Sequence, residues 1–331
     1  MENLPEELLM KIFQMVSRED LRNIVLVCRN WRQIGETPSL WSSLCISVNT
    51  SNVSVIPDIL TMHRMSASTK LVIHGTVLSK EVTEAIVEHP GLKEVVVQPG
   101  NGIEIPLSVL SCISSPGCQV TRLDFSWNDL SGVDPGLLVK VVTKLETLKV
   151  RNTRLTQQQT AAIFTAVSEG NKIANLGIGG NDLSGVDLRL LDMAVIKLEL
   201  LEIYGTNLTQ KQIVAILTAV RKGSKITELD IGGNDLSGVD PELLVKTVTK
   251  LKMLDVTSTQ LAPHQIVPII TAVTDGSNMT ELRIAWNNLS QVDPGLLEKT
   301  VINLELLAIY RTNLTQKQIV AILHRKRLSQ C

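Results

Sequence analysis

Cys112 and Cys118 lie six residues apart, a spacing that could place two thiolates on one tetrahedral zinc. Such a site needs further Cys or His ligands, and the five histidines (His63, His74, His89, His264 and His324) are dispersed along the chain. The close glycines of GIGGND (177–182) and DIGGND (230–235) invite a nucleotide reading. Neither run carries a phosphate-binding Lys, and each sits inside a regular Leu pattern. These residue types predict no catalytic centre, no metal and no cofactor. What remains is the chemistry of recognition, by side chains displayed on a repeating scaffold.

The repeat is explicit. VTRLDFSWNDL from Val120 returns as IANLGIGGNDL from Ile173, ITELDIGGNDL from Ile226 and MTELRIAWNNL from Met279, at intervals of 53 residues. A second set lies between them, also 53 apart: LETLKVRNTRL from Leu145, LELLEIYGTNL from Leu198, LKMLDVTSTQL from Leu251 and LELLAIYRTNL from Leu304. Weaker copies start near Trp41, Ser68 and Leu92, so about eleven units span residues 41–331. Positions four and six, such as Leu123 and Phe125, point to one side of a short strand. Position nine is Asn in the first set and Thr in the second, and either side chain can bond the turn that leaves the strand. A helix returns each time. Thr156 and Thr209 read as caps, Gln159 and Gln212 complete capping boxes, and Gly170 and Gly223 stop the helices. In the other set Asp with Pro opens the helix, as in VDPGLL and VDPELL. Pro268 should bend its helix.

No unit can bury its apolar face alone, so units must stack. The pattern resembles the leucine-rich repeat family, and the alternation of long and short units looks like its ribonuclease-inhibitor subclass. That resemblance implies an α/β horseshoe with parallel strands inside and helices outside.

Composition narrows the partners. Lys and Arg number 32 against 33 Asp and Glu, a net charge of −1, which calls for neither nucleic acid nor an anionic membrane. Five scattered cysteines predict a reducing compartment, cytoplasmic or nuclear. No signal peptide and no membrane-spanning run of apolar residues is expected. The Asn-x-Ser/Thr sequons at Asn49, Asn52, Asn207, Asn278, Asn288 and Asn313 fall mostly inside the repeat, where Asn, Leu and Thr have structural uses. The basic tail HRKRLSQC suits the C-terminal end of a last helix, and Cys331 does not fit a prenylation signal.

Positions three, five, seven and eight of each unit should face the inner wall or its rim, and there the copies differ from one another. Of nine aromatics, Trp127, Tyr204, Trp286 and Tyr310 fall on that wall. Exposed aromatics on a rigid sheet are contact hot spots. Gly177, Gly179, Gly180, Gly205, Gly232 and Gly233 predict a bare floor around Tyr204. Lys149 and Arg151, with Arg122 nearby, form a basic spot, and Glu228, Asp230 and Asp255 an acidic stretch. A protein of mixed charge, held in one orientation, would fit this wall.

The first forty residues do not belong to the repeat. Leu8, Leu9, Ile12, Phe13 and Val16 form an apolar helical stripe after Pro5, Ser17 with Asp20 caps a second helix, and Trp31 and Ile34 fall on a third. Three short helices hold too little core to stand alone, so part of their apolar surface must meet another molecule. The residues Leu4, Pro5, Glu7, Leu8, Ile12, Phe13, Asp20, Leu21, Val27, Cys28, Trp31, Leu40 and Trp41 closely resemble the F-box motif. The resemblance implies an F-box over residues 1–41 and leucine-rich repeats over 41–331. It further implies a non-catalytic, substrate-recognition subunit of an SCF-type ubiquitin ligase that meets a Skp-type adaptor and, through it, cullin and a RING subunit. Leu4, Pro5, Leu8, Ile12, Leu21, Val25 and Trp31 are the expected adaptor contacts, and Cys28 is expected to be packed rather than reactive. The repeats alone would also fit a scaffold or inhibitor unconnected to ubiquitin.

Overall fold

The computed structural model describes residues 4–99 and 104–328. Cys331, the charged side chains of the basic tail and the end of the copy from Leu92 lie outside the described residues. The chain forms two compact units, residues 1–128 and 129–331.

The first unit opens with three helices, α1 (Glu6–Met15), α2 (Arg18–Ile24) and α3 (Arg29–Gly35). Ser17 caps α2: its Oγ accepts the Asp20 N–H at 3.1 Å and donates to the Asp20 carboxylate at 2.7 Å. α2 stops at Ile24, so residues 25–27 form a turn rather than extending the helix, and Cys28 is the N-cap of α3. Strands and helices then alternate: β1 (Cys45–Val48), α4 (Ile56–Thr61), β2 (Lys70–His74), α5 (Lys80–Glu88), β3 (Glu94–Gln98), α6 (Glu104–Ser114) and β4 (Arg122–Asp124). The strands pair in parallel and in order. Leu71 faces Val95 and Val95 faces Leu123, as the aligned copies require. The first copy is displaced by two residues: Ile46, not Leu44, stands opposite Leu71. Ile46 and Val48 are its buried pair.

The three N-terminal helices and the first strands share one compact unit. The stub is tied into the first repeats through Trp41, whose Nε1–H donates to the Gly35 carbonyl at 2.7 Å. The Trp41 carbonyl in turn accepts from Ser68 Oγ at 3.4 Å. Phe13 meets Trp31 edge to face at 5.5 Å, which closes the small helical core.

In the second unit the alternation continues through α7 (Pro135–Val142), β5 (Thr147–Lys149), α8 (Gln157–Ser168), β6 (Asn175–Gly177), α9 (Leu188–Lys197), β7 (Leu200–Glu202) and α10 (Gln210–Arg221). It ends with β8 (Glu228–Asp230), α11 (Pro241–Val248), β9 (Met253–Asp255), α12 (Pro263–Thr274), β10 (Glu281–Arg283), α13 (Pro294–Asn303), β11 (Leu306–Ala308) and α14 (Gln316–Leu328). These seven strands also pair in parallel and in chain order. The core lies between strands and helices, filled by residues such as Leu148, Val150, Leu176, Ile178, Phe164 and Ile216. The capping boxes at Thr156/Gln159 and Thr209/Gln212 form, and Asp134, Asp240 and Asp293 cap helices that open with Pro. α12 runs through Pro268.

In the second unit a buried amide stitches each repeat to the one before it, Asn at alternate junctions and Gln at the others. Asn181 Nδ2 donates to the Val150 carbonyl of the preceding repeat (2.7 Å) and to the Ile178 carbonyl of its own turn (2.9 Å). Its Oδ1 accepts the Thr153 and Leu155 N–H groups at 3.2 and 3.1 Å. Asn234 and Asn287 make equivalent bonds one double repeat further on each time. Gln159 does more than complete its capping box: Nε2 donates to the carbonyls of Leu130 (2.7 Å) and Val133 (2.6 Å) in the preceding repeat. Gln212, Gln265 and Gln318 repeat that reach. A buried amide with all its bonding capacity used both stabilises and fixes register, because sliding one repeat would strand several polar groups at once.

Candidate functional site

α1 is apolar on two faces. Leu9 and Phe13 point into the unit and are buried. Leu8, Ile12 and Met15, spaced by four and three residues, are exposed on the other face. The turn after α2 adds exposed Leu26 and Val27. Pro5 is exposed and Leu4 and Trp31 are half-buried. Two expected contacts are corrected. Leu21 retains 3% of its accessible surface and Val25 7%, so this chain already covers them. Val25 packs over Gly35, where an added Cβ would lie 2.7 Å from its Cγ1. Met15, Leu26 and Val27 were not among the expected contacts. Met15 could have been found from its seven-residue spacing to Leu8, whereas exposure of Leu26 and Val27 depends on where α2 ends.

In the turns that leave the strands of the second unit, position eight of the repeat carries a left-handed backbone in every copy. Glycine holds it at Gly180, Gly205 and Gly233, but Trp286 (φ 58°), Asn152, Ser258 and Arg311 hold it too. Trp127 in the first unit does the same at φ 69°. That conformation costs a non-glycine residue about 1 kcal/mol, and it turns the side chain away from the sheet. Trp127 is 65% and Trp286 51% exposed, so neither folds down over its turn.

The structure brings Tyr204, Trp286 and Tyr310 together around one groove of about 730 Å³, whose lining also includes Asp255, Arg283 and Leu306. Trp127 belongs to the other unit. The expected bare glycine floor is paved. A Cβ on Gly232 would stand 2.8 Å from Tyr204 Cδ2, and one on Gly233 3.0 Å from Tyr204 Cζ, so the glycines make room for the Tyr204 ring. Gly177 lies beneath Glu202 and Arg151, which are ion-paired across it: Arg151 Nε donates to Glu202 Oε2 at 2.8 Å.

Glu202, Asp230, Asp255 and Arg283 stand directly opposite one another on β7 to β10. Arg151 closes one end of this row on Glu202. At the other end Arg283 pairs with Glu281 and reaches Asp255 at 3.8 Å. The expected basic spot is therefore half neutralised, leaving Lys149 half-exposed beside the Arg151–Glu202 pair, and the acidic stretch is larger than foreseen by Glu202 and Glu281. Asp230 takes part in none of the ion pairs among the described residues; its Oδ1 accepts the Gly232 N–H at 3.0 Å. Burial and, next, the Asp255 carboxylate push its pKa up to about 7. Glu228, position three of its repeat and the first residue of β8, is half-buried.

Cys112 is buried and hydrogen-bonded to Cys118, a contact that together with burial drives its thiol pKa upward. Among the described residues no group of three or more His, Cys, Asp or Glu side chains could hold a metal ion, and no helix is long and apolar enough to cross a membrane.

Residues 1–47 match the F-box-like family model. Over 261 residues, 76% of this chain, the sequence is 23% identical to lysine-specific demethylase 2A of Xenopus tropicalis; the match covers 20% of that protein, so the chain spans about a fifth of its length. Among solved structures it is similar to an internalin of Listeria monocytogenes, at 17% identity and a TM-score of 0.45 over 96% of this chain and 84% of that one. It is similar also to the leucine-rich repeat-containing protein LegL7 of Legionella pneumophila, at 17% identity and a TM-score of 0.49 over 76% and 86%. With its parallel strand–helix repeats, the chain carries an F-box-like domain at its N-terminus followed by leucine-rich repeats.

Proposed function

We propose that this chain is the substrate-recognition subunit of an SCF-type cullin–RING ubiquitin ligase, working in the cytoplasm or nucleus. The observation that carries the proposal is the F-box-like match over residues 1–47 together with the outward apolar face of Leu8, Ile12, Met15, Leu26 and Val27. Exposed aliphatic side chains of that kind, three along one face of a helix and two on a turn, suit a partner's apolar groove. The Skp-type adaptor is that partner, and cullin and the RING subunit follow through it. Leu4, Pro5, Leu8 and Ile12 remain the proposed contacts, with Trp31 at their edge. In the second unit Lys149, Arg151, Tyr204, Glu228, Asp230, Trp286 and Tyr310 belong to the surface that receives a protein substrate, and in the first unit Trp127 is a proposed contact by itself. On this reading the chain performs no bond chemistry. It raises the substrate's concentration beside the conjugating enzyme by tethering.

Co-purification tests it. The full chain should capture a Skp-type adaptor and cullin, and Leu8→Ser with Ile12→Ser should weaken that capture by at least about tenfold, because each buried aliphatic side chain contributes about 1.5–3 kcal/mol. Undiminished capture by the folded double variant, or no adaptor with the unaltered chain, defeats the assignment and leaves a repeat protein of the scaffold or inhibitor kind.

A further inference from the structure

The groove between Tyr204, Trp286 and Tyr310 has the two properties that select a planar cation. Its walls are aromatic faces, and at its base Asp255, 8% exposed, accepts the Thr257 N–H at 2.8 Å while its nearest guanidinium, Arg283, stands 3.8 Å off. Across this row four carboxylates, Glu202, Asp230, Asp255 and Glu281, meet two guanidiniums, Arg151 and Arg283. Asp230 favours its neutral form near neutrality, so the row keeps one unmatched negative charge, which Asp255 brings to the groove lining.

The chain already shows which cation suits these walls. Arg311 lies over the Trp286 ring with its guanidinium carbon 4.4 Å from the ring centroid. Trp286, 51% exposed, also lines the groove. Guanidinium stacks on aromatic faces and bonds carboxylates in a planar fork, which a lysine ammonium does less well. A volume of about 730 Å³ admits several residues of peptide rather than a single side chain.

We infer that this groove binds an arginine-bearing segment of the protein substrate, with the guanidinium stacked between Tyr204 and Trp286 and directed at Asp255. This deepens the proposed function and rests on it for the identity of the bound protein as a substrate. Asp230 couples the site to pH. It is faced by Glu202 on β7, Asp255 on β9, the Arg151 guanidinium and the Gly232 N–H, with Arg283 beyond Asp255. Burial and the two carboxylates favour its neutral form near neutrality. An arriving cation favours the charged form, so binding releases a proton and tightens as pH rises.

The experiment is fluorescence anisotropy of the full chain with short labelled peptides of alternating arginine and serine, lysine and serine, or glutamate and serine, near physiological salt. The arginine peptide should bind at least about tenfold more tightly than the glutamate peptide and about threefold more tightly than the lysine peptide. Tyr204→Ala and Trp286→Ala should each weaken the arginine peptide by about five- to tenfold. Asp255→Asn should remove the preference over glutamate, with folding verified by circular dichroism. Between about pH 6 and about pH 8 affinity should rise by at least about threefold, and Asp230→Asn should abolish that rise. Equal binding of the arginine and glutamate peptides, or undiminished arginine binding by both aromatic variants, overturns the inference. Adaptor capture is measured on the same preparation. Capture without arginine selectivity sinks this inference alone, and arginine selectivity without capture sinks the ligase reading alone.

Discussion

Replacing Asp230 by Asn should stabilise this protein in a strongly pH-dependent way. The Asp230 carboxyl has a pKa of about 7 in the folded chain, against 3.8 as its ordinary value. The folded state therefore holds the proton more tightly than the unfolded state does. The stabilisation this provides is complete below pH 3.8, declines as pH rises and is gone once pH passes about 7. A gap of roughly three pH units corresponds to about 4 kcal/mol at 1.36 kcal/mol per unit. Because the site opens onto a groove, water screens part of that, and about 2–4 kcal/mol is the expected span. Asn mimics the neutral acid and its Oδ1 can keep the Gly232 N–H bond. Urea unfolding of both proteins should give curves within about 1 kcal/mol of each other near pH 4 and separated by about 2–4 kcal/mol near pH 8, the variant being the more stable. An equal separation at both pH values, or a less stable variant near pH 8, would refute the account of the buried carboxylate row.

Three further outcomes follow from the same packing. Gln159→Ala, which removes the side-chain donor from the Leu130 and Val133 carbonyls, leaves the former only the Val133 N–H and breaks the capping box, should cost about 2–4 kcal/mol by chemical denaturation, while Gln158→Ala on the exposed face of α8 should stay within about 0.5 kcal/mol. Trp286→Gly should change stability by no more than about 1 kcal/mol, since relief of the left-handed backbone offsets the lost contacts; a loss of about 3 kcal/mol or more in calorimetry would mean that the ring is part of the core. Gly232→Ala should destabilise by about 1–3 kcal/mol through collision with the Tyr204 ring and the Thr257 carbonyl. A double-mutant cycle with Tyr204→Ala should recover part of that loss, and strict additivity would show that the ring does not rest there.

The repeat was legible because its determinants are local and periodic. Leu123 and Phe125 two residues apart declare a strand face, Thr156 with Gln159 declares a helix start, and a 53-residue recurrence declares stacking, whatever lies around them. The first copy was read two residues out of register because WSSLCISV offers apolar residues at both Leu44/Ile46 and Ile46/Val48, and only pairing with β2 chooses between them. The helical stub was equally legible as elements, with Ser17 and Pro5 marking two helix starts. Which of its apolar residues remain free was not, since Leu21 and Leu8 have the same chemistry and differ only in what packs against them.

Tertiary structure alone decided the character of the strand face. Glu202 and Arg151 are 51 residues apart and meet only because their strands flank Gly177. The glycines looked like an empty floor because a sequence shows a missing side chain but not the neighbour that fills its place; Tyr204 covers two of them. Asp230 became a near-neutral acid for the same reason: Asp255 is 25 residues away along the chain and the adjacent rung in space. Side-chain type and spacing determine which elements form, because those interactions span a few residues, whereas burial, pairing and charge depend on distances that exist only once separate repeats have stacked.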